Sequence, residues 1–338
     1  MDNPAKATQT ENEGDCFFFI LNPLTFNETV PFEIVPKCFL QKPSVHQLLL
    51  IQERLDGFRI PGGWPKSLHL GYNCHWVPHP GTTPESKSGQ LEKINDPNDW
   101  RYWVVRYAGK LPHKRDENSI IGKLRCSADL IRNDLDIGFG FLYAPLPYGP
   151  MFFLTDNATF TYVTEHQLQN DPREITSAEL GEIRANFSLV EAAESQHPKT
   201  YKLAQQFASL KSLPRNSDMQ VLGYFSILEA LFTHKPKLNE ADSLTHQIRS
   251  KMPMLTARFF ERQLDYAGSF GNPPHETIWK ALYDYRSKLA HGEQPDIKAD
   301  FQVLRDFLTT GKFLKEAVKL SLLLGMKDPE LIEYVKKI

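Results

Sequence analysis

Apolar positions follow two different rhythms along the chain, and the change comes near residue 172. Ahead of it they fall into short runs and alternations. Residues 16–21 (CFFFIL) form a continuous apolar run. Leu135, Ile137, Phe139 and Phe141 alternate with Asp or Gly, as a strand with one buried face requires. Ile120, Gly122, Leu124, Cys126 and Ala128 read the same way, and residues 100–107 (WRYWVVRY) and 160–164 add two strand candidates. Fifteen of the 24 prolines lie in the first 150 residues, a density that resists long helices and suits strands joined by turns. Residues 78–99, rich in Pro, Gly, Ser, Thr and charge, read as an exposed loop. The polar opening at 1–14 reads as a disordered tail.

Beyond residue 172 the spacing turns helical. Thr176 and Glu179 stand at capping-box separation ahead of a helical pattern running to about 195. Further helices are predicted at about 197–211, 217–234, 240–251, 254–267, 275–291, 298–325 and 328–337, most of them separated by Pro or Gly. The pattern therefore predicts an α+β chain: a β-rich domain over 15–172 and an all-α bundle over 173–338. A length of 338 residues is enough for two such cores.

Charge changes this picture little. The 39 Lys and Arg balance 41 Asp and Glu, which excludes a strongly basic nucleic-acid binder but not a local basic groove. Residues 211–338 carry 19 Lys and Arg against 16 Asp and Glu, so the helical part is mildly basic and the front acidic. Four single cysteines with no CxxC pair read as unbridged thiols in a reducing cytosol. No apolar run approaches the ~20 residues of a membrane span, and no secretory signal opens the chain. A cytoplasmic protein is expected.

Most candidate chemistry dissolves on inspection. Cys74, His75 and His79, with His69 nearby, have no second Cys/His pair at finger spacing, and only distant His113 would complete a zinc set. They read as turn and surface residues, and no metal or cofactor is implied. Gly62-Gly63-Trp64-Pro65 lacks the Gly-Lys-Ser/Thr of a phosphate loop. The aromatics of 100–107 could stack bases, but core packing is the better account of them.

The informative segment is 278–292, IWKALYDYRSKLAHG. Leu282, Tyr285 and Leu289 mark a core-facing stripe. Arg286 and His291, five apart, lie about 140° around an ideal helix, so they do not share a face. Gly292 is placed to end the helix in the left-handed conformation, after which the imidazole could swing back toward Arg286. A histidine there meets the negative end of the helix dipole. An imidazole beside a fixed guanidinium suits phosphodiester chemistry, one moving a proton and the other gripping phosphate oxygens. Read from spacing alone, the same residues also fit a surface arginine and a capping histidine.

Arg286-Ser287-Lys288-Leu289-Ala290-His291-Gly292 resembles the R-x4-6-H signature of the HEPN superfamily, most closely its Apea-like branch. The run 224–232 (YFSILEALF) is similar to the family's earlier helix, an aromatic-aliphatic stretch around one glutamate, Glu229. The likeness covers roughly residues 200–325. It implies a metal-independent endoribonuclease of anti-phage defence or toxin type, with RNA as substrate and a homodimer whose two motifs form one composite active site. Arg286 and His291 would be its catalytic residues, with Glu229, Ser287 and Lys288 in support. Whether His291 acts as acid or base stays open. The resemblance also fits a non-catalytic HEPN module for dimerisation or RNA binding. Ser287 departs from the Asn, Asp or His that follows the arginine in many active members. The N-terminal domain would sense or position, answering a phage or host trigger.

Glu229 carries an expectation of its own. Its helix is apolar nearly all round, and a carboxylate buried there is costly unless paired. Glu229 is predicted to face Arg286 and hold its guanidinium in place; a structural ion pair with Arg249, Arg258 or another cation is the alternative.

Overall fold

The computed structural model describes residues 16–57, 74–78, 89–109, 120–143, 150–153, 159, 161, 171–215, 217–235 and 243–337. Its elements confirm the α+β class. In chain order they are β1 (Cys16–Ile20), β2 (Leu24–Thr25), β3 (Phe32–Val35), β4 (Cys38–Gln41), α1 (Val45–Gly57), β5 (Cys74–Pro78), β6 (Gly89–Lys93), β7 (Val104–Tyr107), α2 (Ile120–Asp129), β8 (Ile137–Tyr143), β9 (Pro150–Phe153) and β10 (Arg173–Glu174). The helices that follow are α3 (Ser177–Gln196), α4 (Pro198–Ser209), α5 (Asp218–Phe232), α6 (Leu244–Arg258), α7 (Tyr266–Phe270), α8 (His275–Ala290), α9 (Ile297–Asp300), α10 (Phe307–Lys327) and α11 (Pro329–Lys337).

The described residues divide into two compact units. The first holds those up to Arg125 together with Leu135–Arg184, and the second holds Cys126–Asp134 and Ala185 onward. The sequence places its change of texture at 172/173. The structure instead divides the chain within α3 and assigns a nine-residue piece of the front half to the helical unit.

In the first unit an antiparallel sheet runs in the order β3-β4-β7-β1-β8-β9. Strand β1 is central and buried at all five positions, which is why its apolar run does not alternate. Phe17, Phe19 and Leu21 meet Tyr102, Val104, Phe139 and Phe141, and α1 adds Leu48, Ile51 and Leu55 to the same core. Trp100 and Tyr102 are fully buried here, so they fill the core and do not form a base-stacking face. Cys16 and Cys38 both lie opposite Tyr107, one on each side of β7. Two strand spacings, about 10 Å, therefore separate them, beyond the ~7 Å Cα reach of a disulfide. Burial, then the charge of Glu33, pushes the Cys38 thiol up to about 12 and leaves it unreactive.

Three expectations for this half need correction. Residues 120–129 form α2, not a strand; Ile121, Leu124 and Ala128 sit at helical spacing, and over ten residues both periods fit. The loop reading of 78–99 misses β6, which pairs with β5 in a hairpin. Proline density conceals α1, although Ser44 and Gln47 form a reciprocal capping box at its start, with N···O distances of 3.0 and 3.2 Å. Apart from Thr161, the strand candidate at 160–164 lies outside the described residues, as do residues 1–14, Gly62-Gly63-Trp64-Pro65, His69, His79 and His113. Cys74 and His75 pair through β5 with Lys93 and Glu92.

The second unit is a helical bundle around one core. The capping box expected at the start of α3 is present: Glu179 N–H donates to Thr176 Oγ1 at 3.2 Å, and Thr176 N–H to Glu179 Oε2 at 3.0 Å. Helix α5 is buried at Val221, Tyr224, Phe225, Ile227, Leu228, Leu231 and Phe232, and it packs against α4, α8 and α10. Residues 244–258 form one helix running through Pro253, where two helices separated by that proline are expected. Ile248, Met252 and Leu255 are fully buried on both sides of the proline, and their burial outweighs the one lost backbone bond. The expected helix at 298–325 is interrupted: α9 and a 3-10 turn precede α10, and Arg305 between them has φ 58°.

Candidate functional site

Helix α8 positions the motif. Ile278, Trp279, Leu282, Tyr283, Tyr285 and Leu289 are its buried residues. Arg286 stands one turn beyond Leu282 and Tyr283, so it projects from the edge of the buried stripe toward α5. There its Nη2 donates to Glu229 Oε2 at 3.0 Å. The side chains remain 25% and 17% exposed respectively, so the pair is shielded from bulk water yet reachable from it. Of the cations the bundle offers, Glu229 thus meets Arg286; Arg249 instead lies 3.7 Å from Glu276. Glu229 Oε1 and Arg286 Nε are buried without a hydrogen-bond partner.

Tyr283, which sequence reasoning missed, completes the cluster. Its ring lies 5.5 Å from the guanidinium carbon of Arg286. Burial first, then the charge of Glu229, pushes its phenol up to about 12, with Arg286 opposing; the hydroxyl's hydrogen bond to the Glu229 carboxylate adds to the rise. The signal that could have found it is its place three residues ahead of Arg286, on the same helical face.

The C-terminus of α8 holds the imidazole. His291 is the cap residue, at φ −86° and ψ 3°, and Gly292 follows at φ 79°. Glu293 N–H donates to Lys288 O and Gly292 N–H to Leu289 O, both at 3.0 Å, the paired bonds of a Schellman ending. His291 is exposed. No hydrogen bond or ion pair joins its side chain to Arg286 among the described residues. Five residues separate them, about 7.5 Å along the helix axis. Ser287 is half-buried, and its carbonyl accepts from His291 N–H at 3.1 Å. Lys288 turns away from Arg286. Its Nζ lies 3.5 Å from Asp300 Oδ2 and 5.3 Å from the centroid of the Phe301 ring.

The structure thus joins Arg286 to Glu229 and Tyr283, and leaves His291, Ser287 and Lys288 apart from them within one chain. Such a site offers a guanidinium held by one carboxylate and, beyond it, an exposed imidazole that can carry a proton. Among the described residues no three His, Cys, Asp or Glu side chains converge as metal ligands, and no helix is long and apolar enough to cross a membrane. No protein-family model, curated protein or solved structure matches the chain. The functional reading therefore rests on the site's own geometry and on the motif.

Proposed function

We propose that the helical unit is a metal-independent endoribonuclease of the HEPN kind, working as a homodimer on RNA, in anti-phage defence or as a toxin. One observation carries the reading: Arg286 of the R-x4-H motif is clamped by Glu229 with a quarter of its side chain still open, and His291 stands exposed at the end of the same helix. A guanidinium so held is placed to take the charge of a phosphorane, because Glu229 anchors one corner of it without covering it. In the reaction a base removes the 2′-OH proton, the oxygen attacks the adjacent phosphorus, and an acid protonates the departing 5′ oxygen. The products are a 2′,3′-cyclic phosphate and a 5′-hydroxyl. His291 is the proton carrier and Arg286 the charge stabiliser; Ser287 and Lys288 are the supporting residues the motif implies. The N-terminal unit is the sensing part, where a phage or host trigger would act.

The test is incubation of the purified full chain with mixed RNA in EDTA. Cleavage leaving cyclic phosphate ends is expected, falling by about 10²-fold or more in both His291→Ala and Arg286→Ala. Undiminished cleavage by the histidine variant would overturn the assignment. The ion pair itself favours one rival, a binding module in which Arg286 is purely structural. RNA retention without cleavage by the wild type, unaffected by His291→Ala, would select it.

A further inference from the structure

Beyond the motif, we propose that Tyr283 is a positioning residue for Arg286: its aromatic face fixes the guanidinium that Glu229 alone leaves free to turn. The proposal rests on reading Arg286 as the phosphate-gripping group, but its geometry stands without that reading. Helix α5 contributes Phe225 and Glu229, four residues apart on one face; helix α8 contributes Tyr283 and Arg286, three apart on one face. The four side chains pair ring to ring and charge to charge. Phe225 meets Tyr283 edge-on, with centroids 5.7 Å apart and planes at 90°. Arg286 meets Glu229 at 3.0 Å.

A single hydrogen bond at Nη2 fixes one corner of a planar group and leaves rotation about that corner. Arg286 Nε is buried and bonds to nothing, so no second hydrogen bond on that side stops the rotation. The Tyr283 ring, 5.5 Å from the guanidinium carbon, lies within the ~6 Å at which a ring face attracts a cation. It is also deeper than Arg286, at 5% exposed, and Phe225 packs edge-on against it. The phenol stays neutral at physiological pH and donates a hydrogen bond to Glu229, so it adds no charge that would compete with that carboxylate for the guanidinium. Tyr283→Phe separates the ring's part from the hydroxyl's.

The experiment compares the full-length wild type with Tyr283→Phe, which keeps the ring, and Tyr283→Met, which keeps bulk without an aromatic face. Tyr283→Leu is the second ringless variant should the first fold poorly. Two readouts are taken: kcat and KM for RNA cleavage in EDTA, and hydrogen exchange at Arg286 Nε–H by nitrogen-15 NMR, assigned with Arg286→Lys. Tyr283→Phe is expected to match the wild type within about twofold. Tyr283→Met is expected to lower kcat about tenfold at nearly constant KM, and to speed exchange at Nε–H about tenfold. A ring that merely fills the core would lower the unfolding temperature while leaving kcat per folded molecule and exchange at Arg286 unchanged, and that result overturns the proposal. So does a Phe variant as impaired as the Met variant, since the role would then belong to the hydroxyl. If the wild type cleaves no RNA, the nuclease reading fails, and exchange alone decides: faster exchange in the ringless variants upholds the positioning role, unchanged exchange overturns it.

Discussion

At the scale of single residues, the end of α8 depends on one backbone conformation. Gly292 sits at φ 79°, where a Cβ strains the chain, although nothing lies within 4 Å of where that Cβ would be. The cost of Gly292→Ala is therefore purely conformational, about 1 kcal/mol. Gly181, within α3, also has open space around it but lies in ordinary helix. Gly181→Ala is expected to stabilise by about 0.5–1 kcal/mol through helix propensity. Urea unfolding of the two variants should move in opposite directions; a shared direction would refute the conformational account. The motif residues were the most legible part of the site. A lone glutamate in an apolar helix demands a cation, and Arg286 was among those the sequence offered. The position of His291 was not legible, because a cap residue's side chain has no fixed neighbours to dictate where it points.

At the scale of elements, the piece Cys126–Asp134 is built into the helical unit by charge as well as by Cys126 and Leu130, which join that unit's core. Asp134 pairs with Lys211 at 3.2 Å and with Lys315 and Lys319, while Lys211 also meets Asp129. Lys319 is only 2% exposed, and its Nζ donates to Ile131 O at 2.6 Å and Arg132 O at 3.2 Å. Burial alone would raise the Asp134 carboxyl; Lys211, Lys315 and Lys319 outweigh it and hold it well below its ordinary 3.8. A carboxylate held low stabilises the fold fully above its unfolded value, and that contribution is lost as pH falls through the folded one. Burial, opposed by Asp134, lowers Lys319, so just below its ordinary 10.5 the unfolded chain binds more protons and stability rises with pH. Asp134→Asn is expected to cost about 3 kcal/mol near neutral pH, because it removes the carboxylate that three lysines share. The gap between wild type and variant should close as pH drops below 4, followed by urea midpoints. A gap independent of pH would show that packing, not charge, holds the segment. None of this was legible in the sequence. Lys319 lies in the apolar stretch of α10, and Asp134 is 185 residues away. Where local period decided the structure, as in α3 and α8, the elements were legible. Where two periods overlapped, as in α2, or buried flanks overrode a proline, as in α6, they were not.

For the whole molecule, the near-zero net charge limits what an RNA site can be. Arg286 is tied to Glu229 and Lys288 lies near Asp300, so one chain presents few uncommitted cations at the motif. One chain also places one exposed imidazole there, whereas transesterification needs a base and an acid at the same phosphate. Two copies brought together supply two imidazoles and two clamped guanidiniums without any excess of charge in either chain. The proposed enzyme is therefore expected to act only as a dimer. Measured across protein concentrations that span its dissociation constant, set independently by sedimentation, specific activity should rise in proportion to the dimer fraction. Below that constant it should fall about tenfold for each tenfold dilution, since the dimer fraction there is linear in total protein. Constant specific activity through the monomer range would mean that a single motif suffices. In that case another group of the same chain would have to supply the second proton transfer.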